Sequence, residues 1–473
     1  MTKGGTAHRT YSVVVFVVLA SLDNVAIGLV PPLYGSIGTD LGVGEGHIAL
    51  ATTVMFLISA VAAVGWAYAG DRTRRKPILI AGTVIWVAGT AWSGLAGTYG
   101  SFLASQVLAA IGLGGVASVS FSVVSDLISP RRRGLVMSFW GLSQGIGTLA
   151  GTLVGGLLGS SDWRRPFLVV AAAGVLAMVT YFFTYDVPRG DSQPELAGVD
   201  YDERIHRDDL PTILARRTNV WLILQGFSAQ IAFGSLVWLP VLFRARAEDQ
   251  GYSAATAIVV GSVFATLFQL GGALSIFGGL IGDRLQRRTP RGRALVAAVG
   301  ILAAVPFYVV LFFVPFRIDV PDGGSSGAII QAVLTNVFTE PTVGLSLAVA
   351  IFALALTSAN SPNWFAMIAD VNPPEHRGTV YSLGNLFNGA GRAGGNALVG
   401  VAFRGLSGAF PPPLNYAVGL AVFQVFFIPT GVMYWLASRT VARDMERTHA
   451  ALATYAVTTT PTPSHLEEPG RPR

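Results

Sequence analysis

Along this chain, long apolar runs alternate with short polar breaks, and each run is close to the length that crosses a bilayer. A hydrocarbon core about 30 Å thick takes about 20 apolar helical residues. That rule predicts spans over 11–34, 47–69, 77–97, 100–128, 135–159 and 166–186, then over 219–243, 253–281, 294–316, 343–370, 379–404 and 415–437. The first run is longer than a signal-peptide core and is interrupted by Asp23, so it reads as a retained helix. One sizeable polar stretch, 187–218, separates six spans from six. The pattern therefore predicts an all-α membrane protein of twelve helices in two related six-helix bundles. Its expected divisions are a tail 1–10, a bundle 11–186, a linker 187–218, a second bundle 219–438 and a tail 439–473. The last residues, TTTPTPSHLEEPGRPR, have the composition of disorder.

Composition strengthens this picture. Hydrophobic residues make up 52% of the chain and charged residues 12%, where soluble proteins carry about 25% charged. Glycines sit inside apolar runs such as GLGGVAS and GIGTLAGTLVGG, where small residues let helix backbones approach closely in lipid. Cysteine is absent, which excludes disulfides and cysteine metal sites. The net charge of +6 is not a nucleic-acid signal, because the basic residues fall in the short breaks. With the first tail, every second loop and the last tail on one side, that side holds 25 of the 32 lysines and arginines. Six lie opposite, and Arg392 falls within a helix. The positive-inside rule then places both termini in the cytoplasm of a cell (inner) membrane. No nucleotide-binding G-x4-G-K-[ST] loop, nucleophile elbow or closely spaced histidine pair occurs, so no ATP-driven pump, enzyme or cofactor is expected.

Two motifs recur once per half. Gly70-Asp71-Arg72-Thr73-Arg74-Arg75 follows helix 2, and Gly282-Asp283-Arg284-Leu285-Gln286-Arg287 follows helix 8. The pattern D-x3-P-x2-R-G follows helix 4 as Asp126…Pro130…Arg133-Gly134, and helix 10 as Asp370…Pro374…Arg377-Gly378. The first pair is offset by 212 positions (70 to 282) and the second by 244 (126 to 370). An enlarged outer loop at 317–342 accounts for most of the difference. Two motif pairs in matched order argue for halves related by an axis along the membrane normal.

These residues resemble the major facilitator superfamily, whose signature loop between helices 2 and 3 is similar to Gly70-Asp71-Arg72 followed by Arg74-Arg75. Ala67 stands where most members carry glycine. Leu22-Asp23-Asn24 with Gly28, the stretches AYAGDRTRRK and RRTPRGRALVAAVG, and Asn363-Trp364 with Ile368-Ala369-Asp370 are similar to the spinster-like branch of lipid transporters. The chain departs from that branch at Asn24, Gln106 and Leu113, where an Arg, an Arg and a Glu are usual. The resemblance implies alternating access and an amphipathic lipid cargo such as a lysophospholipid. It also implies that Asp71, Asp126, Asp283 and Asp370 pair with rim arginines, among them Arg72, Arg75, Arg133, Arg284 and Arg377, to latch an outward-open state. Asp71, lying just before Pro77 and helix 3, is expected to face the positive end of that helix.

Two charges lie inside spans. Asp23 is the acid deep within an apolar run, where a charge costs about 2.5–3.5 kcal/mol even on the lenient insertion scale. It reads as a proton-coupling group or a partner for a cation, against the plainer reading of a buried acid satisfied by neighbouring hydroxyls. Arg392 lies in helix 11 with Asn385, Asn388 and Asn396 at intervals of three or four, which predicts one polar face. It suits an anionic head group, or equally a counter-ion for Asp23. Asn24, Gln106, Gln144, Gln230 and Asn363 are further candidate cargo contacts; interhelical bonding is the ordinary role for any one of them. Pro362 is expected to interrupt helix 10 between Asn360 and Asn363. Together these features point to a secondary transporter, expected to act as a monomer in the lipid bilayer on a small-molecule or lipid substrate, with a proton as coupling ion. The rival readings are a proton-coupled multidrug or metabolite exporter and a non-transporting receptor or scaffold.

Overall fold

The structure, a computed structural model, describes residues 6–30, 33–159, 162–184 and 208–459, with 187, 193 and 204–206 of the linker. Among the described residues there are helices and no strands. The first half comprises α1 (Thr6–Gly28), the short α2 (Tyr34–Asp40), α3 (Glu45–Arg72), α4 (Arg75–Gly94), α5 (Tyr99–Leu127), α6 (Arg133–Gly159) and α7 (Arg164–Phe182). A two-turn helix, α8 (Asp209–Ala215), lies in the linker. The second half comprises α9 (Arg217–Ser235), α10 (Leu239–Asp249), α11 (Ala254–Phe268), α12 (Leu270–Ala273), α13 (Ser275–Gln286), α14 (Gly292–Phe313), α15 (Ser326–Thr339), α16 (Pro341–Ser358), α17 (Asn360–Val371), α18 (Arg377–Leu406), α19 (Leu414–Gln424) and α20 (Phe427–Thr459).

These helices form twelve spanning segments of a multi-pass membrane protein. Among the described residues, nine are long and apolar enough to cross a bilayer on their own; the others are α1, α6 and α18. The first half uses one helix per span, whereas the second builds four of its spans from pieces. Three of those breaks share a cause. A proline has no N–H and clashes with the carbonyl four residues back. Pro240, Pro362 and Pro429 therefore act at Leu236, Ser358 and Val425, where α9, α16 and α19 give way to α10, α17 and α20. Pro306 is accommodated inside α14 without a break.

Two expectations from the sequence are corrected. The enlarged outer loop contains a helix, α15: Ser325 caps it by accepting from the Ala328 N–H at 3.3 Å, and Ile329 and Val333 bury one face. The tail expected to be disordered from 439 instead continues α20 as far as Thr459. Val441, Asp444, Thr448 and Leu452 recur every three or four residues and are buried. Asp444 accepts from the Thr218 N–H at 3.0 Å and its hydroxyl at 2.7 Å, so it caps the start of α9 from another helix. The expected disorder of the tail beyond 459 lies outside the described residues.

The two halves share a small-residue seam. A Cβ on Gly147 or Gly151 of α6 would lie 2.2 and 2.1 Å from the Ser21 and Val25 carbonyls of α1. A Cβ on Gly391 or Gly395 of α18 would lie 2.2 and 2.1 Å from the Phe227 and Ile231 carbonyls of α9. In both places only glycine allows the backbones to approach so closely. The halves meet where α18 packs on α3 and where α13 and α17 pack on α6.

Candidate gate and central polar groups

Four aspartates and four arginines close the arginine-rich end of the molecule. Asp126, at the end of α5, accepts from Arg75 of its own half at 2.5 Å and from Arg377 of the other half. Asp370, at the end of α17, accepts from Arg293 of its own half and from Arg133 of the other at 2.6 Å. Each carboxylate thus receives one guanidinium from each half. All six side chains are at most 5% exposed. Removing one partner of such a buried pair strands a charge, a loss of about 3–5 kcal/mol.

Beside these pairs, two acids meet helix starts across the interface. Asp71 accepts from the Thr379 N–H at 2.8 Å and the Thr379 hydroxyl at 3.0 Å. Asp283 accepts from the Leu135 N–H at 3.0 Å and from Arg293 at 2.6 Å. A carboxylate at a helix N-terminus is favoured by the exposed N–H groups and the helix dipole. The acid expected to face helix 3 therefore faces the start of α18 instead, because the halves are pressed together there. A Cβ on Gly378 would lie 2.8 Å from the Asp71 Oδ1, which explains the glycine after Arg377.

Above this ionic layer lies an aromatic one. Phe121 of α5 and Phe365 of α17 each stand five residues before the aspartate of their helix. They meet across the interface with ring centroids 5.6 Å apart. Tyr381 of α18 stacks on Phe121 at 4.3 Å. The linker is anchored at the same end. His376 is 3.5 Å from Asp209 of α8 and 3.5 Å from Arg216. Burial, and then the nearby Arg216 charge, push its imidazole down to about 4.

Farther into the bundle the symmetry ends. Asp23 is 4% exposed, and neither carboxylate oxygen has a hydrogen-bond partner among the described residues. Arg392 is exposed and makes no ion pair with a described residue; no bond joins it to Asp23. It lies 15 residues into α18, about 22 Å from the arginine-rich end at 1.5 Å per residue. Gly389, on the same face one turn earlier, has Ala60 of α3 as its neighbour, so this face is turned towards the first half. Asn24 and Gln230 are half-buried at mid-span.

Other candidates serve helix packing. Gln106 donates to Ser93 at 2.9 Å between α5 and α4. Asn363 donates to the Gly278 carbonyl at 3.1 Å and the Ala359 carbonyl at 2.7 Å. Asn388 donates to Asn385 at 3.3 Å, and its own oxygen faces Gly226 of α9, leaving no room for a Cβ there. It therefore reaches the α9–α18 seam, one turn before Arg392. The side chains of Gln144 and Asn396 lie outside the described residues.

The sequence model of the Major Facilitator Superfamily matches residues 14–395. The chain belongs to the Major Facilitator Superfamily. Its relatives include protein spinster homolog 1 of Rattus norvegicus, 28% identical over 63% of this chain and 59% of that one. The sphingosine-1-phosphate transporter of Danio rerio is 26% identical over 58% of this chain and 56% of that one. The chain thus spans little more than half the length of the relatives it matches. Among solved structures, a bacterial homolog of the human lysosomal transporter Spinster, inward-facing and unoccupied, aligns with a TM-score of 0.55 and 19% identity. That alignment covers 93% of this chain and 99% of that one, and it establishes the shared fold.

Of the residues that the superfamily signature singled out, Asp71, Arg75, Asp126, Arg133, Asp283, Asp370 and Arg377 meet in one layer. Arg72 lies outside it, donating to the Tyr68 hydroxyl at 3.1 Å, and Arg284 is exposed. Arg293 was missed. It does for the second half what Arg75 does for the first, but it stands ten residues after its loop aspartate where Arg75 stands four. Its signal was its place in the first turn of helix 9.

Proposed function

We propose that the protein is a secondary transporter that carries an amphipathic molecule with an anionic head group, such as a lysophospholipid, by alternating access. The exposed guanidinium of Arg392 at mid-span, with no ion pair among the described residues, is the observation that carries this reading. A cation held inside a membrane bundle is costly; an anionic cargo that binds it bidentately offsets that cost. The relatives named as spinster proteins and as a sphingosine-1-phosphate transporter support the same cargo class.

The ion-paired rim is the inner gate of an outward-open state, with both termini in the cytoplasm of the cell membrane. Asp23, buried without a hydrogen-bond partner among the described residues, is the proton-coupling group. When the halves rock apart at the rim, Asp126 and Asp370 each give up the guanidinium of the other half and keep their own. The closing contacts are therefore broken without leaving either acid unpaired.

Proteoliposome uptake across a panel of lysophospholipids, cationic drugs and sugars, with and without a pH gradient, tests this. Arg392→Ala is expected to weaken binding of the anionic lipid by about 10- to 100-fold, the worth of a hydrogen bond to a charged group. Asp23→Asn is expected to abolish gradient-driven accumulation while leaving exchange intact. Unaltered lysolipid affinity in the first variant removes the anchor, and full accumulation in the second removes the proton.

A further inference from the structure

Away from the interface between the halves, a groove of about 480 Å³ opens at the arginine-rich end between the start of α4 and the end of α7, lined by Arg74, Lys76, Pro77, Ile80, Ala81 and Phe182. Its chemistry is divided. Arg74 is exposed and makes no ion pair with a described residue. Lys76 donates to the Phe182 carbonyl at 2.8 Å and the Thr184 carbonyl at 3.2 Å, completing the end of α7. An ammonium has three N–H groups, so one makes no hydrogen bond to a described residue. Below these two cations the wall is apolar, and Phe182 at the end of α7 is 52% exposed.

The second half differs at the matching place. There the position that follows Arg293, as Lys76 follows Arg75, is Ala294, and it is buried. The continuation of α20 covers the place, with the Gln286 side chain reaching Met445 at 3.5 Å. The groove exists because α7 stops at Phe182 while its counterpart runs on. It lies between α4 and α7 at the arginine-rich end, away from the helices by which the halves meet.

We propose that this groove is a binding site for an anionic phospholipid of the leaflet on the arginine-rich side. The phosphate sits between Arg74 and Lys76, and the first acyl carbons lie along Ile80, Ala81 and Phe182. Two cations over an apolar floor match a molecule whose charge and hydrocarbon are joined end to end, and basic pockets between helices on this side suit anionic head groups. Among the described residues, the acids of the neighbouring loops are already engaged: Asp71 with Thr379 and Asp126 with two arginines.

The site is tested by native mass spectrometry of the full chain in detergent, titrated separately with phosphatidylglycerol, phosphatidylcholine and inorganic phosphate. Phosphatidylglycerol is expected to remain bound where phosphatidylcholine does not. Arg74→Gln, which leaves the end of α7 intact, should reduce that retention about fivefold, and Arg74→Gln with Lys76→Gln about 25-fold, at about 1 kcal/mol per basic residue. Arg439→Gln, on the exposed face of α20, should leave it unchanged. Equal retention of phosphatidylcholine would make the groove merely apolar. Displacement of the lipid by inorganic phosphate would make it a phosphate site. Unchanged retention in both groove variants would overturn the assignment.

Discussion

The two halves of this molecule are alike where they close and unlike where they hold charge. At the rim, each half presents an acid at the end of its fourth span, an arginine of its own to hold that acid, and a second arginine for the other half's acid. The glycine seams match position for position. At mid-span the counterparts of Asp23 and Arg392 are Ala229 and Thr148. The duplicated parts are those that join the halves at the rim and hold the helices of each half together. In the proposed function the unduplicated parts are the proton site and the cargo anchor, which need no such symmetry. The second half also carries the proline breaks, while the prolines described in the first half stand at helix ends.

The comparison is broken or sharpened most strongly at the rim. Asp126→Asn, which strands Arg75 and Arg377, and Asp370→Asn, which strands Arg133 while Asp283 still holds Arg293, should each weaken the closed rim by about 3–5 kcal/mol. The chain has no native cysteine, so a single cysteine at Ser125 reports opening by its labelling rate with an impermeant thiol reagent. Similar acceleration in both variants supports a symmetric gate; acceleration in one alone would show that a single half carries the seal.

A pH effect is expected at the rim of the second half. The His376 ring is held neutral down to about 4 in the folded chain, against an ordinary value of 6.5. As pH falls, the unfolded chain takes up the proton first. Stability is therefore full above about 6.5 and declines towards pH 4, by up to about 3 kcal/mol. Thermal melts across that window should show the decline, and His376→Gln should flatten it; an unchanged slope in the variant assigns the effect elsewhere.

The glycine seams come next. Gly147→Ala and Gly391→Ala each drive a methyl into a carbonyl of the adjoining helix, at an expected cost of about 1–3 kcal/mol. Equal losses in melting temperature support the symmetry of the scaffold, and a harmless Gly147→Ala contradicts it. The smallest effect is expected at Asp71→Asn and Asp283→Asn. An acid at a partly buried helix start is worth up to about 2 kcal/mol. Asp283 also holds Arg293, so its loss in the same labelling assay should be the larger of the two.

The number of spans, their pairing into halves and the motif aspartates were legible in the residues, because hydrophobic length and charge placement are local properties of a chain in lipid. The extension of α20 was obscured because its apolar positions are interleaved with charges, which reads as solvent-exposed tail until α9 is there to bury them. The helix α15 was hidden behind the glycines and prolines that precede it. Arg293 was hidden by a longer loop. Gln106, Asn363 and Asn388 looked like cargo contacts because a polar residue in a span reads the same whether it faces a cavity or a neighbouring backbone.

By itself, then, the sequence determined that this chain lies in a membrane as a duplicated bundle, since the energy of each apolar segment in lipid depends on that segment alone. Only the tertiary structure decided which arginine holds which aspartate, which helix start receives Asp71, and which polar groups remain unpaired at mid-span. Those are relations between residues as many as 308 positions apart, and they are set by the close approach of helices that no single segment encodes.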